Sequence, residues 1–453
     1  MIHYLSESTM MCPNTELRHL SIRLPPPGRT RSRRARRFLP ALLALATLAS
    51  PTLAAPRSTG VIDSIRAEIG RLSRALEQRP ADLRALSLLA EAYLREAQVT
   101  GDSSGHASAD AAIRRALAID PQDYAALAAK GWVEHAQHRF REAEASARRA
   151  IALAPEAGRN YALLSDALLE LGRYDEAVQA LQGLLDRQPG PAGYSRAAHI
   201  RFLHGDLDGA LEMVELGLES ALSGGARDLA AWLYTQAGEL HAVRGDVVRS
   251  RRSLELAQLQ VPGYFRAAGP LARLLANQGQ LDTARSVLTA TLQQFEDAAL
   301  LATLEDLETL RGDEAAARAA GQRLETLAKL DLARHGRIDR ALALADLEHA
   351  RNLERATAAA EAEYRERPDI YSADALGLAR LRAGRTAEAL VLSKEALRLG
   401  TPDPILHYHM ALAFEAAGRT REAQESRANA RRFGAALPPR VFKLLENGAP
   451  TPR

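Results

Sequence analysis

Cysteine is almost absent. The one thiol, Cys12, lies near the start of a 453-residue chain. Everything beyond it is without disulfides, cysteine-ligated metal or a thiol nucleophile. Lysine occurs only at positions 130, 329, 394 and 443, so arginine carries nearly all the positive charge. These arginines are spread among Glu and Asp, which reads as a coding bias rather than a phosphate-binding surface. Aromatic residues make up 5% of the chain, with two tryptophans. β-branched residues are thin, which argues against extended sheet. There is no phosphate-binding loop, HExxH or CxxC, so these catalytic signatures are missing. The chain is read as a non-enzyme without cofactor or metal.

What is there favours helix. Ala, Leu, Arg and Glu dominate, and such side chains lose little freedom in a helix. Hydrophobic residues (47%) and charged residues (25%) are at ordinary levels for a soluble protein. The formal net charge of +3 misleads. Residues 1–54 hold eight Arg and two acids; taken from 59 basic and 56 acidic residues, these leave 51 and 54, a balance of −3. The remainder has no strong electrostatic reason to bind nucleic acid.

Residues 29–37 read RTRSRRARR, residues 38–49 read FLPALLALATLA, and SPTLAAP follows. A basic stretch, a short apolar run and a small-x-small site form a secretory signal. The expected cut follows Ala54. The run is short for a membrane span, and an uncleaved anchor is the alternative. Membrane contact is expected only through export or such an anchor. Residues 1–28 are a polar extension, consistent with a true start further downstream.

The segments RRALAIDP (114–121), RRAIALAP (148–155) and LQGLLDRQP (181–189) end on prolines spaced by 34 residues. This period, and the residues within it, resemble the tetratricopeptide repeat family. Gly131, Ala143, Ala150 and Pro155 occupy family positions 8, 20, 27 and 32 of the repeat 124–157. Tyr161, Gly172, Ala177 and Pro189 occupy positions 4, 15, 20 and 32 of 158–191, and Tyr234, Gly238, Gly245, Ala257 and Pro262 occupy positions 4, 8, 15, 27 and 32 of 231–264. Small residues let paired helices approach to about 8–10 Å. Gly near position 15 ends the first helix where a Cβ is penalised. An Asp or Thr after it, as in GDLDGA, GQLDTA and GRTAEA, is placed to cap the second helix. Proline at position 32 stops that helix.

The resemblance implies an all-α fold: a right-handed α-solenoid superhelix of tandem helix-turn-helix repeats, with first helices inside. The expected organisation is a leader at 1–54, a capping helix at 55–81, about ten repeats at 82–432 and a tail at 433–453. The repeats are degenerate at 298–369. Repeat one carries an insertion, TGDSSGHASAD (100–110), and the tail has one docking turn at Val441–Leu445.

Two histidines, His135 and His138, lie three apart as if on one helix. That spacing can serve a metal, but no third ligand is near, and a solvated or groove-lining face is the plainer reading. The resemblance implies a partner-binding groove lined by positions 2, 5, 9, 12 and 13 of the first helices. These are Trp132 and His135; Arg159, Asp166 and Glu170; Ser195, His199 and Phe202; Trp232, Thr235 and Glu239; and Arg266, Arg273 and Asn277. Both tryptophans are either groove anchors or fillers of the inter-repeat core. The lysine and asparagine of the family's two-carboxylate clamp are missing, with Arg159 and Ala162 in their places. The expected function is an exported, periplasmic or secreted scaffold that holds protein partners. A polysaccharide-binding accessory protein and a cytoplasmic regulatory adaptor are the alternatives.

Overall fold

The computed structural model describes residues 60–102 and 104–447. The expected leader, its cleavage site and the extension at 1–28 lie outside the described residues. Among the described residues there are twenty-two α-helices and no strand. Helix α1 (Val61–Gln78) precedes a series of hairpins. These pair α2 (Leu83–Thr100) with α3 (Ser104–Ile119), α4 (Tyr124–Ala136) with α5 (Phe140–Leu153), and α6 (Gly158–Glu170) with α7 (Tyr174–Arg187). Next come α8 (Pro191–Leu203) with α9 (Leu207–Ser223), α10 (Arg227–Arg244) with α11 (Val247–Gln260), and α12 (Phe265–Asn277) with α13 (Leu281–Leu292). The series continues with α14 (Ala298–Arg311) and α15 (Glu314–His335), α16 (Arg340–Glu348) and α17 (Leu353–Glu366), and α18 (Ile370–Arg382) and α19 (Thr386–Ala396). It closes with α20 (Pro404–Ala416) and α21 (Thr420–Arg432), followed by a short helix α22 (Pro439–Glu446).

The hairpins close on small residues. Ala143, Ala150, Ala177, Ala210 and Ala257 are fully buried, so neighbouring backbones approach closely. A side chain at Gly131 would collide with Leu163. Capping matches the sequence in part. Asp206 accepts from Gly209 N at 2.9 Å, and Asp246 and Asp313 cap α11 and α15 likewise. The runs GQLDTA and GRTAEA do not deliver a cap: Gln280 and Arg385 precede α13 and α19 without a side-chain bond to the helix's first backbone N–H groups.

The expected insertion at 100–110 is not a loop. Gly101 closes α2 in the left-handed region at φ 82°, and Ala-rich α3 begins at Ser104. Residues 104–110 form the first turns of α3, although Gly, Ser and Asp among them are weak helix formers, and the helix is anchored by buried Ala109, Ala112, Ile113 and Ala116. His138 also departs from expectation. It sits past the end of α4 with φ 59°, so it does not share a helix with His135.

Between 298 and 369, ion pairs knit the hairpins together. Arg351 holds Glu305 at 2.9 Å and Asp346 at 3.0 Å, while Arg355 bridges Asp346 at 2.6 Å and Glu325 at 2.9 Å.

The solenoid winds back onto itself. Arg367 Nη1 donates to Glu170 Oε2 at 2.6 Å across 197 residues of sequence. Ile370 N donates to Tyr174 Oη at 3.0 Å, and Thr401 Oγ1 to Leu203 O at 2.6 Å. Gly205, at φ 78°, would place a Cβ 2.8 Å from Gly400 O. Here glycine serves both the turn and the contact between successive superhelical turns.

Candidate functional site: a lumen and the tail that enters it

Winding leaves a central cavity of about 850 Å³. Its walls come mainly from the inward first helices, α6 to α16, with Tyr371 and Asp403 from the following superhelical turn. Residues Ala435 to Pro438 complete one side.

The polar wall is ordered. Trp232 Nε1 donates to Ser195 Oγ at 2.7 Å, and Ser195 Oγ donates to Gln236 Oε1 at 2.8 Å. The indole is thereby fixed, with the Arg266 guanidinium 5.4 Å from its ring centroid. Arg196 grips Asp166 with two bonds, at 2.8 and 2.6 Å. His349 meets Asp306 at 3.2 Å. Tyr371 donates to Asp403, and burial drives the Tyr371 hydroxyl well above its ordinary pKa.

Other groups face the lumen without such partners. His199, Glu239 and Arg273 make no hydrogen bond or ion-pair contact within the described residues. Burial raises the Glu239 pKa, opposed by the Arg273 charge. Burial lowers that of Arg273, opposed by Glu239 and Asp403. Burial likewise lowers His199. Water reaches Glu239 and His199, yet protein surrounds them, as expected for side chains in an internal chamber.

Eight residues expected in the groove line this one cavity: Asp166, Ser195, His199, Phe202, Trp232, Glu239, Arg266 and Arg273. Six do not line it. Trp132 packs between hairpins, beneath Arg196 at 5.7 Å. His135 stands edge-on to Phe140, at 5.2 Å between centroids. Arg159 pairs with Glu91 at 2.6 Å. Glu170 is taken by Arg367. Thr235 is buried, its hydroxyl bonded to Ala231 O. Asn277 holds the tail: its Nδ2 donates to Leu437 O at 3.0 Å and Ala435 O at 3.4 Å.

The tail was underestimated from sequence. A 3-10 turn at Gly434–Ala436 leads into α22, and this segment crosses the inner faces of α10, α12 and α14. Leu437, Val441 and Leu445 are nearly fully buried. Arg440 donates to Glu348 O at 3.1 Å. Also missed were Asp306 and Tyr371, which the groove-position rule, carried into later repeats, places at positions 9 and 2.

The tetratricopeptide repeat family is matched over residues 134–200. No curated protein matches the chain. Among solved structures, a human IFIT1 dimer with m7Gppp-AAAA is similar at 16% identity, covering 83% of this chain and 76% of that one, with a TM-score of 0.44. The Cut9–Hcn1 hetero-tetramer of the APC/C is similar at 12% identity, covering 85% and 93%, with a TM-score of 0.37. PilW, described as a type IV pilus biogenesis factor, shares 14% identity over 54% of this chain and 92% of its own, with a TM-score of 0.32. At these scores none of them bears on function.

Among the described residues, no group of three His, Asp or Glu side chains is placed to hold a metal. No described helix is long and apolar enough to cross a membrane.

Proposed function

We propose that this chain is a non-catalytic scaffold that holds a protein segment against the inner surface of its solenoid. The observation that carries this reading is the tail. A stretch of polypeptide, gripped through its backbone carbonyls by Asn277 and through Leu437, Val441 and Leu445, lies where a partner segment would lie. The partner we expect has the same chemistry: a proline-bearing turn followed by a short amphipathic helix. The basic and apolar runs before Pro56 support export as part of the same reading.

Photocrosslinking in the native host tests the proposal. A crosslinker replaces Trp232 or Gln236, in the intact chain and in one ending at Arg432. Protein adducts that increase when the tail is removed support the scaffold reading. The absence of protein adducts from both chains contradicts it. Alanine at Trp232 weakens capture without unfolding the array. A reporter fused after residue 60 tests export separately, and silence outside the cytoplasm removes that part.

A further inference from the structure

Position 9 of five successive first helices brings Asp166, His199, Glu239, Arg273 and Asp306 to the lumen. Two of them are spoken for. Arg196 satisfies Asp166, and His349 meets Asp306. Glu239 and Arg273 sit on the neighbouring inward helices α10 and α12, carry opposite charges and feel one another's field, yet do not touch. Glu239 is exposed and Arg273 partly so, and neither has a hydrogen bond within the described residues, so both charges are open to a ligand. A molecule bearing one charge for each can pair with both at once. The wall beside them, with Phe202, Leu240 and the fixed indole of Trp232, is apolar. The volume of about 850 Å³ falls within the range of small-molecule sites.

We infer that the lumen binds a zwitterion, a free amino acid or a short peptide with free termini. Its ammonium group meets Glu239, its carboxylate meets Arg273 and its apolar side chains lie along Phe202 and Trp232. This ligand differs from the docked segment proposed above. It is held by its two terminal charges, whereas the tail is held by backbone carbonyls and apolar side chains.

Titration calorimetry on the intact chain tests it. The ligands are leucine, leucyl-leucine and leucyl-leucyl-leucine, each also as its N-acetyl and its C-amide form. The free forms are expected to bind, and each blocked form to bind at least about tenfold more weakly. This comparison needs no variant. Glu239→Gln is expected to erase the penalty of acetylation alone, and Arg273→Gln that of amidation alone. Equal binding of free and blocked forms overturns the proposal. So does the failure of every free form to bind at millimolar concentration. Neither result bears on partner adducts that depend on the tail.

Discussion

Asn277 donates its side-chain amide to the carbonyl oxygens of Ala435 and Leu437, residues 158 and 160 positions further along the chain. This clasp joins the middle of the solenoid to its end and fixes how the tail crosses the inner surface. Asn277→Ala removes both bonds, and each such bond contributes about 0.5–1.5 kcal/mol. The variant is expected to stay folded while amides in 437–446 exchange about tenfold faster or more. Hydrogen exchange read by mass spectrometry checks this, and unchanged rates refute it.

The contact between superhelical turns rests on Arg367. Its guanidinium is buried against Glu363 and Glu170 and lies over the Phe140 ring at 5.2 Å. Removing one partner of a buried pair strands the other charge. Arg367→Met is expected to destabilise the chain by about 3 kcal/mol in urea unfolding. Glu170→Gln is expected to cost less, because Glu170 is still 35% exposed.

Two turn glycines separate backbone strain from packing. Gly172 and Gly279 both adopt left-handed φ, at 69° and 77°. A Cβ at Gly279 meets nothing, whereas one at Gly172 runs into the Pro368 carbonyl of the next superhelical turn. Gly279→Ala is expected to cost about 1 kcal/mol. Gly172→Ala costs clearly more, since it also parts the two turns. Equal denaturation midpoints would show that the turns do not touch.

His407 predicts an acid limb. Burial beside Phe433 lowers its pKa from 6.5 to about 4. Its folded pKa lies below its unfolded value, so the unfolded chain takes up the proton first. The stability this group contributes is complete above pH 6.5 and is lost as pH falls toward 4. At about 1.4 kcal/mol per pH unit, the limb spans about 3 kcal/mol. His407→Gln is expected to flatten that part of the stability profile. An unchanged slope contradicts the assignment.

The sequence displayed the hairpins because their physics is local. Gly205-Asp206, Ala177 and Pro189 act within one repeat, and their spacing survives in the chain. Local rules also located much of the lumen, since Ser195, His199, Trp232, Glu239 and Arg273 share a helical face. What stayed hidden is long-range. No local pattern pairs Arg367 with Glu170, or Thr401 with Leu203 O. Trp132 reads like Trp232 in register, yet it fills the space between hairpins because helices on both sides close over it. The tail reads as an appendage until the inward faces of α10, α12 and α14 are assembled to receive it.

The central claim is that the inner surface accepts a peptide segment of defined chemistry. The most direct measurement is the affinity of a synthetic peptide spanning 433–447 for a chain ending at Arg432, followed by fluorescence anisotropy, with the truncated chain's helicity checked. The account predicts saturable binding to the truncated chain, loss of affinity with Asn277→Ala, and little binding to the intact chain, whose own tail competes. Equal binding to the intact and truncated chains, or none to a folded truncated chain, would contradict it.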